Sequence, residues 1–92
     1  MLDLDEKYVL SDDIVLRSIH DKFLCLDTKN GMQYRLNRVS YDLLTNLTPE
    51  VALSEIIDKV AQNYNIALSV FSSDAVSLLN LALNKEIIRK EV

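Results

Sequence analysis

The spacing of apolar residues along the chain changes near residue 37. Before it, short apolar runs alternate with polar positions at the period of strands. After it, apolar residues recur at the period of helices. Ile14–Ile19 and Lys22–Thr28 read as two strands joined by a tight turn at His20-Asp21. Met32–Leu36 reads as a third, after the turn signal Lys29-Asn30-Gly31. Lys7–Leu10 reads as a short extra strand or an extended lead-in.

Parity selects a register for the second hairpin. A two-residue turn at Asn30-Gly31 splits Leu24 and Leu26 from Met32, Tyr34 and Leu36. A three-residue loop with Gly31 left-handed pairs Thr28 with Met32 and puts Leu24, Leu26, Tyr34 and Leu36 on one face. The three-residue loop is therefore expected, with Phe23, Cys25, Asp27, Gln33 and Arg35 on the opposite face.

Asn37 or Ser40 can cap a first helix running through Leu47, which Pro49 then ends. A second helix is expected from Ser54, or from nearer Val51, to about Tyr64. Asn65–Leu68 reads as a linker, and a third helix spans 72–85 from a Ser72 or Ser73 cap, with Asp74 in its first turn. Its buried stripe is Ala75, Leu79 and Ala82, and Ile87-Ile88 closes against the core. The expected fold class is α+β: a three-stranded antiparallel sheet followed by a three-helix, winged-helix-like bundle, with 1–92 forming one domain.

Composition narrows the function. A chain of 92 residues affords a modest core, with stability of about 5–10 kcal/mol and little room for a walled catalytic cavity. The net charge of −4 argues against nucleic acid, whose binding needs a basic surface. No apolar run approaches a membrane span, and the acidic start Met1–Glu6 lacks a signal peptide's pattern. Cys25 is the sole cysteine, so no intrachain disulfide forms and a cytoplasmic setting is expected. His20 sits at a turn, Cys25 lies mid-strand, and a single Gly excludes a phosphate loop. Neither an enzyme nor a cofactor or metal site is expected.

What remains is an edge. Successive hairpins cover the middle strand on both sides and leave the third, 31–37, free to accept a visitor. On a helical wheel Leu81 lies off the buried stripe of the third helix, on the side shared by Asp74, Leu78 and Lys85, where it either broadens the core contact or lines a surface groove. A groove between that helix and the free strand suits an extended peptide: the strand supplies N–H and C=O groups, and the helix supplies apolar pockets. Gln33 and Arg35 would act as polar selectors there.

Several segments together resemble the protein D family of pyrroloquinoline-quinone biosynthesis. They are Asp13–Arg17, Leu24–Gly31, Tyr34–Asn37, Ala52–Ile57 with Tyr64, and Asp74–Leu79. The most specific is the Lys29-Asn30-Gly31 turn leading into Tyr34-Arg35-Leu36-Asn37. The resemblance implies a non-catalytic recognition element. Such an element binds the leader of a ribosomally made precursor peptide against its third strand and third helix, and presents it to a modifying enzyme or leader peptidase. Carried to this chain, it implicates Met32, Gln33, Tyr34, Arg35 and Leu36. The helix positions Asp74, Leu78, Leu81 and Lys85 come from the wheel. The chain has no Trp, unlike the quinone-cofactor branch, which points to a stand-alone protein of another pathway. Lasso-peptide assembly is the first reading and radical-enzyme peptide maturation the second. The alternatives are a winged-helix-like nucleic-acid regulator and a purely structural enzyme subunit. The free edge could also pair with a second copy to make a homodimer.

Overall fold

The computed structural model describes residues 2–91. The element order is β1 (Tyr8–Leu10), β2 (Ile14–Ile19), β3 (Lys22–Asp27), β4 (Met32–Leu36), α1 (Arg38–Thr45), α2 (Leu53–Asn63), α3 (Leu68–Asn84) and β5 (Ile88–Lys90). The architecture is α+β, with β2-β3-β4 forming a three-stranded antiparallel meander and β1 pairing antiparallel with β5. The third strand of the sequence reading is thus β4, and the Tyr8–Leu10 segment is a true strand.

The core forms where the three helices meet the inner face of the sheet and the β1–β5 pair. Leu43 and Leu44 of α1, Ile56, Ile57 and Val60 of α2, and Ala75, Leu79 and Ala82 of α3 are buried together with Tyr8, Cys25 and Ile88. The expected stripe of α3 is therefore its buried face. Tyr8 is satisfied at depth because its hydroxyl accepts the Asp3 N–H. Asn37 caps α1 by accepting the Ser40 N–H at 2.7 Å.

The second hairpin differs from the expected register. Asp27 pairs with Met32, Cys25 with Tyr34, and Phe23 with Leu36, leaving a four-residue loop, Thr28–Gly31. Asp27 organises this loop: its carboxylate accepts the N–H groups of Lys29 and Asn30, each at 3.1 Å, and the Asn30 side-chain amide at 2.8 Å. Gly31 does take the left-handed φ of 69°. Consequently Cys25, Tyr34 and Leu36 share the inner face, while Leu24, Leu26, Gln33 and Arg35 face out.

Helix α3 begins at Leu68, a full turn before the expected 72–85 span, so Asp74 lies inside the helix and not in its first turn. Ala67 gives no side-chain cap. Burial of Phe71 holds the extra turn, tertiary packing overriding the Ser72-Ser73 signal. Likewise α2 begins at Leu53 after an uncapped Ala52, since Leu53 is itself fully buried. Both α2 and α3 end in reciprocal C-terminal bonds. Ile66 N–H reaches Ala61 C=O and Asn65 N–H reaches Gln62 C=O. At the other helix Ile87 N–H reaches Ala82 C=O and Glu86 N–H reaches Leu83 C=O. Asn65 and Glu86 take positive φ to allow this, at 56° and 61°.

Candidate functional site

The backbone of β4 has two sides, and the hydrogen-bond phase of the sheet says which residues use which. Thr28 N–H donates to Asp13 C=O, so position 28 points toward β2. Backbone direction alternates along an antiparallel strand. Positions 24 and 26 therefore also point to β2, whereas Phe23, Cys25 and Asp27 point to β4. Their partners Leu36, Tyr34 and Met32 complete that ladder. Gln33 and Arg35 are left presenting their N–H and C=O groups away from β3, and no strand among the described residues pairs with that edge of β4. The side chains alternate the other way, so Met32, Tyr34 and Leu36 project on the inner face beside this open edge.

Helix α3 forms the opposing wall. Asp74, Leu78, Leu81 and Lys85 succeed one another at three- and four-residue steps, which makes a continuous ridge. Leu81 is 52% exposed, an isolated leucine on the lip of a groove. The groove has a volume of about 200 Å³ and is bordered by Tyr34, Arg35 and Leu36 on the strand and by Leu78, Leu81 and Lys85 on the helix. Cys25, Leu44, Ala82 and Ile87 form its floor. Leu78 separates it from a second hollow of about 230 Å³ that Asp74 shares with Asn37 and Ser40 at the start of α1. At the other end the Lys85 ammonium sits 5.3 Å from the centre of the Tyr34 ring.

Six of the nine residues singled out in the sequence therefore border one groove. Met32 lies at the start of β4, 49% exposed, and does not line it. Gln33 and Arg35 both contribute outward backbone groups, while their side chains leave the opposite face of the sheet, contrary to their expected role as polar selectors in the groove. Asp74 borders the adjoining hollow. Of the floor residues, Ala82 and Ile87 were expected in the core, whereas Cys25 was missed because the expected register put it on the opposite face. The Asp27–Asn30 pairing, an aspartate three residues before an asparagine in a turn, is the signal that marks the correct one.

Across solved structures, the chain resembles TbiB1 in complex with the TbiA(beta) leader peptide. The alignment covers 91% of this chain and 98% of that one, with a TM-score of 0.75 and 23% identity. The two share a fold. No family model and no curated protein matches the sequence.

Burial raises the Cys25 thiol pKa above its ordinary value, and the Asp27 carboxylate adds to the shift, so thiolate is disfavoured at the groove floor. Among the described residues no three His, Cys, Asp or Glu side chains gather in a metal-holding group. No helix of the described chain is long and apolar enough to cross a membrane. A roomier hollow, about 420 Å³, lies around Asp27 and Arg89 between the β3–β4 turn and β5. Its buried carboxylate is satisfied within its own turn.

Proposed function

We propose that this chain is a non-catalytic adaptor for the leader segment of a ribosomally made precursor peptide. The leader adds as a strand to β4, lies against α3, and is presented to a modifying enzyme or leader peptidase. The observation that carries this reading is the open edge itself: Gln33 and Arg35 offer backbone donors and acceptors directly beside an apolar groove rimmed by the exposed Leu81. An added strand would lie about 4.8 Å from β4. Alternate side chains of the visitor would then drop toward Tyr34, Leu78 and Leu81. The shared fold with TbiB1, solved with a leader peptide, and the resemblance to the quinone-biosynthesis protein D family support the same class of ligand. A stand-alone role in lasso-peptide assembly is the pathway we favour.

Proline at Gln33 or Arg35 tests the mode of binding. Each removes an outward N–H and no bond to β3, and an edge strand tolerates proline on its open side. Both variants should fold and should weaken binding of a fluorescent cognate leader in an anisotropy titration. Unchanged affinity in both would exclude strand addition at this edge.

A further inference from the structure

The helices cover only one face of the three-stranded sheet. On the other, the register sets three rows: Val15, Leu26 and Gln33; Arg17, Leu24 and Arg35; Ile19 and Lys22. A solvated face of an antiparallel sheet normally reads polar. Here half of the positions are aliphatic. Val15 is 38% and Ile19 48% exposed, while Leu24 and Leu26 are half-buried yet lie outside the core cluster. The remaining positions are Gln33 and three cations, with no acid. The cations of the ion pairs among the described residues are Arg89 and Lys90, leaving Arg17, Lys22 and Arg35 without a carboxylate partner there. This basic, aliphatic surface stands on a chain of net charge −4.

We infer that the outer face of the β2-β3-β4 sheet is a docking surface for an acidic amphipathic helix of a partner protein. A helix is the element that buries an aliphatic sheet face. Acidic residues along its flanks would meet Arg17 and Arg35 on either side of Leu24, and Lys22 at the end of the adjoining row. The charges disfavour a second copy of this chain, because two such faces repel. Nucleic acid fits poorly as well: the face offers three cations and no aromatic ring on which a base could stack. The surface lies across β4 from the groove, so a helix seated here leaves the groove free.

Nuclear magnetic resonance shift mapping tests this on the ¹⁵N-labelled full chain. The probe is a short synthetic helix with leucines on one face flanked by glutamates; a DNA duplex and anionic phospholipid vesicles serve as parallel probes. The helix should shift the amides of Val15, Arg17, Leu24 and Leu26. Those shifts should vanish as salt approaches 1 M, where the screening length falls to about 3 Å. They should also be lost in the exposed double variant Arg17→Glu with Lys22→Glu, whose remaining spectrum reports its fold. The inference is overturned if the helix shifts no amides or only those of the β4–α3 groove. It is equally overturned if these rows respond to DNA or vesicles but not to the helix, or shift with protein concentration alone.

Discussion

The ammonium of Lys85, the C-cap residue that follows α3, stands 5.3 Å from the centre of the Tyr34 ring in the middle of β4. This pair closes one end of the groove and ties the helix to the edge strand. Lys85→Ala should lower stability by about 0.5–1 kcal/mol, the usual worth of a cation over a ring near solvent. Urea denaturation midpoints at constant slope would show it.

Leu81 separates binding from stability. Its side chain is largely exposed, so Leu81→Asp should leave folding stability within about 0.5 kcal/mol of the parent. If Leu81 packs on the bound leader, the same change should weaken binding by about 2 kcal/mol, roughly thirtyfold. Paired anisotropy and denaturation measurements report both values.

Glu86 occupies a left-handed position that favours glycine, at φ 61°. Its exposed carboxylate forms none of the ion pairs among the described residues. Glu86→Gly should therefore raise stability by about 1 kcal/mol, by relieving the Cβ penalty of that conformation. Thermal denaturation would register the gain.

The hydroxyl of Tyr64 donates to the Asp42 carboxylate and joins the end of α2 to α1. Tyr64→Phe should cost about 1 kcal/mol.

Stability should fall at both ends of the pH range. Hydrogen bonds from the Asn30 side chain and backbone, helped by Lys29, lower the Asp27 pKa below its ordinary 3.8. The folded state thus favours the carboxylate. That contribution is present above pH 3.8 and is lost as pH falls through the folded value. Asp27→Asn should accordingly narrow its stability deficit against the parent under strong acid. On the alkaline side, burial raises both the Cys25 and Tyr64 pKa values above 9.0 and 10.0, and the Asp42 hydrogen bond and charge add to the Tyr64 shift. The folded state favours their neutral forms. Their contributions are complete below those ordinary values and are lost as pH rises through the raised ones.

The legible parts of the fold were those fixed by neighbours in sequence. Asn37 announced α1, the His20-Asp21 turn announced the first hairpin, and the Ala75-Leu79-Ala82 stripe announced the buried face of α3. Distant partners decided the rest. Ile88–Lys90 becomes a strand because Tyr8–Leu10, almost a chain length away, lies beside it. The start of α3 depends on where Phe71 is buried, and the ends of α2 and α3 carry no glycine to mark them. The strand edge and helix ridge of the groove followed from order and periodicity. The Cys25 part of its floor did not, because a one-residue change of register inverts a strand, and the bonds of Asp27 chose between the alternatives.

Hydrogen exchange at individual amides reads the open edge most directly. In the free protein Tyr34 should be protected by its ladder to β3, while Gln33 and Arg35 exchange rapidly. Adding saturating leader peptide should protect Gln33 and Arg35. If both amides still exchange at their free rates with leader bound, the visitor does not pair with β4.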